Sequence, residues 1–175
     1  MSEETHLDAL PPELSPDEWG EIPGADGQAP PTRQFCVFRS GRERFCLPVL
    51  EVEEVVDWPM MTRVPLSPPF LMGIFNLRGT IIPVVDIAVT EGRRPGLLPR
   101  SVIVAVLAGD GQSESMHLGI AADEVVGTYP AFSDSQLDHS PPDMPHCRGM
   151  LRHDERLALI LDLRQLIRVF SVPVI

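Results

Sequence analysis

The sequence predicts an all-β protein, read as two small β-barrels packed together. Three observations carry this reading. Short apolar runs rich in Val, Ile and Leu recur between Gly- and Pro-containing turns, about five on each side of a linker at residues 90–100. Almost nothing in the chain reads as helix beyond one short C-terminal segment. The 175 residues suit one domain, or two small ones sharing a core. A barrel of only about 70 residues is marginal by itself, so two of them should share an interface. A sandwich is the other architecture this pattern permits.

Each element follows from local chemistry. Residues 1–31 hold eight acids, no base and six of the 19 prolines. They are expected to form a disordered acidic Pro-rich tail, because they bury too little apolar surface to offset chain entropy. Residues 32–175 are then the folded domain. Phe35–Phe38 and Phe45–Val49 flank Ser40-Gly41-Arg42-Glu43, a hairpin with a four-residue loop. Its simplest register pairs Phe38 with Phe45, Cys36 with Leu47 and Val37 with Cys46. Cys36 and Cys46 then face opposite sides and are not disulfide partners.

Val49–Val52 reads as a short turn, and Glu53–Trp58 as a strand ended by Pro59. Thr62–Pro65 is extended, and Ser67-Pro68-Pro69 is a loop. Met72–Leu77 is a strand, Arg78-Gly79 a tight turn, and Thr80–Val89 a long β-branched strand. Pro83 inside that strand calls for an edge position or a bulge. Beyond the linker, Ser101–Leu107, Ser115–Ala121 and Asp123–Thr128 read as strands. Residues 130–146, with four prolines, form a long loop. Met150-Leu151 and Leu157–Leu161 close the strand set, and 162–167 is the short helix.

Composition narrows the function. The formal charge is −11, so phosphate backbones repel the chain and nucleic acid is not an expected partner. All 14 basic residues are arginine, which excludes P-loop and Schiff-base chemistry that depends on lysine. No run approaches the ~18 apolar residues of a membrane span, and no secretion signal opens the chain, so no membrane insertion is expected. Three cysteines without an export signal suit a reducing cytoplasm.

A search for catalysis finds little. No Gly-x-Ser-x-Gly is present, and Cys36 and Cys46 lie in apolar strand text where cysteine is a small hydrophobe. His139, His146, Cys147 and His153 fall within fifteen residues and are the one candidate metal cluster. Their spacing matches neither Cys-x-x-Cys nor His-Glu-x-x-His, so no metal and no cofactor are expected. Glu51, Glu53 and Glu54 cluster on a strand where Glu54 shares a face with Val56 and Glu53 with Val55. They read either as ion-pair partners or as a solvated edge.

The informative segment is Met72 to Asp86. One arginine stands between two apolar strands, which is costly unless it is paired or reaches the surface. Gly79 permits a positive φ at the turn, and Gly73 permits close backbone approach. Asn76-Leu77-Arg78-Gly79 followed by Ile82-Pro83-Val84-Val85-Asp86 closely resembles the signature of CheW-like domains, the coupling proteins of bacterial chemotaxis. The resemblance runs over roughly residues 34–168. Thr62-Arg63-Val64-Pro65 precedes the signature; Gly119–Val125, Gly149 and Leu159–Asp162 follow it in order.

The resemblance implies two packed five-stranded SH3-like barrels and no catalysis. It implies a scaffold between the cytoplasmic tip of a methyl-accepting chemotaxis receptor and the histidine kinase CheA, cytoplasmic and recruited to receptor arrays. The receptor-facing residues it implies are Glu54 and Arg78, with Val52 and Gly73 close by; Asn76, Leu77, Gly79, Pro83 and Asp86 are signature positions. Arg78 either contacts the receptor or pairs with Glu54 to shape the groove. A coupler of a non-flagellar pathway (motility, development or a second messenger) fits the same residues. A metal-binding enzyme or sensor built on the histidine cluster is the reading from a different class.

Overall fold

Val52–Asp57 alternates half-buried and exposed residues, whereas Arg33–Ser40, Ser101–Leu107 and Met116–Ala122 carry apolar runs buried on both faces, and each of these runs forms a strand. The computed structural model describes residues 33–90, 99–108, 115–131, 137–138, 144, 146–153 and 155–171. The expected tail, most of the 90–100 linker and much of the 130–146 loop lie outside these residues. In chain order the elements are β1 (Arg33–Ser40), β2 (Glu43–Pro48), a 3-10 turn (Val49–Glu51), β3 (Val52–Asp57), β4 (Leu71–Leu77), β5 (Thr80–Val85) and α1 (Ile87–Thr90). There follow β6 (Ser101–Leu107), β7 (Met116–Ala122), β8 (Glu124–Ala131), β9 (Leu137–Asp138), β10 (Cys147–His153), β11 (Arg156–Leu161) and α2 (Leu163–Ser171).

The strands form two sheets, ordered β8-β1-β2-β11-β10-β9 and β3-β6-β7-β5-β4. The fold is the expected pair of packed β-barrels with a short C-terminal helix. Two details differ from the expectation. The first sheet has six strands, because the two-residue β9 adds to β10 at its edge. The sheets also do not divide at the 90–100 linker. The second sheet is a continuous insertion, β3 to β7, between strands of the first. Two parallel pairings, β2 with β11 and β5 with β7, join segments far apart in sequence.

Each sheet encloses its own apolar core. Phe35, Val37, Cys46, Leu151 and Ile160 fill the first, and Phe75, Ile82, Val84, Val102 and Val104 fill the second. A third, larger cluster lies between them and draws on both sheets and α2, including Phe38, Phe45, Ile103, Ile120, Leu161 and Leu166. The opposite faces of β1 and β2 thus serve two cores. Phe38 pairs with Phe45, Cys36 with Leu47 and Val37 with Cys46, as expected from the sequence. Cys36 therefore faces the shared core and Cys46 the interior of the first sheet. The loop is shorter than expected: Ser40 still pairs with Glu43, and Gly41-Arg42 alone make the turn. Gly41 takes a φ of 60° there, which suits the first position of a two-residue hairpin turn.

The β-branched run from Thr80 stops being a strand at Val85. Asp86 turns the chain: its N–H donates to the Phe70 carbonyl at 2.8 Å, and its Oδ1 accepts the Ala88 N–H at 2.9 Å. That contact starts α1, so Val89 is helical and not strand. Pro83 is tolerated although β5 is internal to its sheet. Over Thr80–Pro83 β5 pairs only with β4, and pairing with β7 begins at Val84. Asp162 likewise starts α2, its Oδ1 accepting the Gln165 N–H at 3.0 Å.

Burial raises the thiol pKa of Cys46 far above its ordinary value of 9.0, with smaller contributions from the Cys147 and Cys36 thiols. Cys36 is raised by burial as well. The unfolded chain therefore releases thiol protons near pH 9 while the folded one keeps them, and alkaline pH favours unfolding. The urea midpoint should fall as pH rises above about 9, and Cys46→Val should flatten that fall. An equal slope in the variant would show that Cys46 does not contribute.

Candidate functional site

The segment singled out in the sequence is a two-residue hairpin turn. Leu77 pairs with Thr80, and Arg78 and Gly79 take φ values of 51° and 95°. Two successive positive φ values define a type I′ turn, the geometry that matches strand twist. Gly79 meets this requirement freely; Arg78 adopts it at a cost, since L-residues are disfavoured there. Asn76 helps to hold the turn by accepting the Gly79 N–H on Oδ1 at 2.7 Å. The Asn-x-x-Gly spacing is thus a turn clamp that displays the side chain between.

Arg78 satisfies both conditions set for a charge between apolar strands. Its side chain is 78% exposed, and Nη2 donates to Glu54 Oε2 at 3.0 Å. The Glu54 side chain is 23% exposed, and its other oxygen, Oε1, is buried without a hydrogen-bond donor among the described residues. The contact joins the β4–β5 turn to β3, and these belong to opposite edges of the second sheet. A second link joins the same edges: Thr62, beyond β3, exchanges backbone hydrogen bonds with Ile74 at 2.8 and 2.9 Å. Together they close the barrel.

Every glutamate of the acidic run that contains Glu54 has a basic side chain within hydrogen-bonding distance. Glu51 accepts from Arg148 on β10 at 3.0 Å, and Glu53 lies 3.1 Å from His117 Nε2 on β7. Each of the three glutamates reaches a base on a different element. Sequence reasoning found the cluster but not its partners, which are distant in the chain and carry no local signal. The expected facing also holds, with Glu54 and Val56 half-buried and Glu53 and Val55 exposed.

The remaining expected site residues are placed differently. Val52 packs against the shared core and is separated from Glu54 by a bulge. Gly73 is buried in β4, five residues before Arg78, roughly 17 Å along a strand. A Cβ on Gly73 would meet the Thr62 carbonyl oxygen at 2.6 Å, and its φ is 149°. The structure therefore brings Glu54 and Arg78 together and gives Gly73 a backbone role. Leu77 packs against the second sheet's core, Pro83 sits in β5, and Asp86 is buried at its end.

Of the histidine cluster, His146 is buried beside Phe45, with ring centroids 6.4 Å apart. Cys147 belongs to the shared core. His139 and the side chain of His153 lie outside the described residues. Among the described residues no three His, Cys, Asp or Glu side chains converge as metal ligands. No described helix is long and apolar enough to cross a membrane.

A double β-barrel that displays an ion-paired arginine on a rigid turn belongs with binding modules. Comparison with known proteins agrees: the family model of the CheW-like domain matches residues 34–170, and the chain belongs to that family. It is 29% identical to the probable chemotaxis protein CheW of Rhizobium etli, over 77% of this chain and 86% of the relative. It is 30% identical to chemotaxis protein CheW of Thermotoga maritima, over 77% and 87%. The crystal structure of the scaffolding protein TtCheW from Thermoanaerobacter tengcongensis superposes with a TM-score of 0.65 at 27% identity, covering 79% of this chain and 88% of that one.

Gly73 and Gly79 should differ in their tolerance of a side chain. Gly79→Ala meets no atom within 4 Å and pays only for its φ, about 1 kcal/mol. Gly73→Ala adds a clash with backbone to its φ and should cost about 2–3 kcal/mol. Urea denaturation of both variants checks the order.

Proposed function

We propose that this protein is a non-catalytic scaffold that couples chemoreceptors to the histidine kinase CheA in a bacterial chemosensory array. Family membership, with Glu54 and Arg78 joined on an exposed barrel edge, supports the reading above all else. One face would hold the helix bundle at a receptor's cytoplasmic tip, and another the kinase. The receptor's two states make different contacts with the scaffold, and that difference shifts the kinase equilibrium. The chain is cytoplasmic in this reading and reaches the membrane only through receptors.

Glu54 and Arg78 are the direct receptor contacts in this proposal. Arg78 has several guanidinium donors left after its bond to Glu54. Val52 acts by holding the base of β3 on the core. Gly73 acts by letting Thr62 close the barrel, so its substitution would disturb the face indirectly. Asn76 and Gly79 keep Arg78 presented. A coupler for a non-flagellar pathway would use the same face, and gene neighbourhood separates the two circuits.

Because Arg78 is largely exposed, Arg78→Ala should cost under ~1 kcal/mol of stability. Its loss should fall on association instead. Pull-down with a receptor cytoplasmic fragment should show retention reduced about tenfold for Arg78→Ala and Glu54→Ala, with unfolding midpoints near wild type. Undiminished retention would remove Arg78 and Glu54 from the receptor face.

A further inference from the structure

The first sheet carries a cavity whose lining includes neither Glu54 nor Arg78. The sheet's interior core opens, at the end that carries the β1–β2 and β10–β11 turns, into this cavity of about 460 Å³. Val37, Leu151 and Ala158 form an apolar floor, and all three are buried members of that core. Tyr129 stands at the side, with Arg44 and Arg156 at the rim.

Strand alternation explains the arginines. Residues two apart share a face, so Arg44 lies on the same side of β2 as Cys46, which is 0% exposed in the interior core. Arg156 lies on the same side of β11 as Ala158 and Ile160. The inward faces of both strands thus change from apolar to guanidinium at the mouth. Arg39, directly opposite Arg44, is paired with Glu124 at 3.3 Å. Arg44, which is half-buried, and Arg156 have no ion-pair partner among the described residues. Both arginines line the cavity, Arg156 exposed and Arg44 half-buried, and a half-buried guanidinium calls for an acceptor. That no acid among the described residues pairs with either marks the mouth as a place for an external anion.

We propose that this mouth binds a small organic acid. Its carboxylate lies between Arg44 and Arg156, and its apolar body covers the floor. Guanidinium matches carboxylate geometry with paired N–H donors, and barrel mouths of this size are common ligand sites. Glu155, also at the rim, reduces the local positive charge and favours a single carboxylate over a dianion such as phosphate. The site is on the other sheet from Glu54 and Arg78, so it stands independently of the receptor reading.

Isothermal titration of the full chain with octanoate tests this, with 1-octanol and inorganic phosphate as probes of the apolar and charged parts separately. Octanoate should bind at least tenfold tighter than either. The double variant Arg44→Gln/Arg156→Gln should lose at least tenfold in affinity. Ala158→Leu, which fills the floor and keeps both charges, should lose a similar factor; Arg156→Gln, at an exposed position, serves if the double variant does not fold. No octanoate binding, equal binding of octanol or phosphate, or variants within twofold of wild type would overturn the proposal.

Discussion

Neither sheet of this protein buries its apolar surface by itself. Phe38 and Phe45 from one sheet meet Ile103 and Ile120 from the other, and Leu166 of α2 seals the contact. Since the second sheet is inserted whole between β2 and β8, the parallel pairing of β2 with β11 forms only when the insertion lets its ends approach. The shared core and the long-range closure therefore support each other. Such non-local pairing is slow to form.

The proposed binding face inherits its geometry from this shared core. The bulged strand β3 places Glu54 half-buried, and the clamped turn presents Arg78 across the barrel's seam. Glu51 and Glu53 tie the same segment to β10 and β7. Exposed ion pairs add little stability one at a time. Their effect here is positional: three acids close in sequence are each held toward a base from a different element. Arg78 also accepts a disfavoured backbone conformation, a cost that an ordinary turn residue such as Asn or Gly would lower.

Much of this was legible in the sequence, and the failures have physical causes. The first hairpin's register could be read because Phe38, Phe45, Cys36 and Leu47 had to share one buried face. The roles of Gly73 and Gly79 followed from what only glycine permits. The break at Asp86 was hidden because Ile87 and Val89 continue a β-branched pattern; the signal was Asp86 itself, a residue suited to starting a helix. The division between barrels was misplaced because Gly and Pro mark a turn without saying which sheet comes next. The partners of Glu51 and Glu53 were invisible for the same reason as the parallel pairings: distance along the chain leaves no local trace. Gly73 lies away from Arg78 because matching a motif orders residues in sequence and does not place them on one surface.

The family membership, the double barrel and the Glu54–Arg78 pair converge on a protein that works by contact. In the proposed reading the chain makes a kinase obey a receptor without doing chemistry itself. Reconstitution tests this most directly: CheA autophosphorylation measured with receptor fragments, with and without this protein. Receptor-dependent phosphorylation that appears only when the chain is present, and is lost with Arg78→Ala, is the result this account predicts. Kinase output that ignores the chain, or a chain that is itself phosphorylated or turns over a substrate, would contradict it.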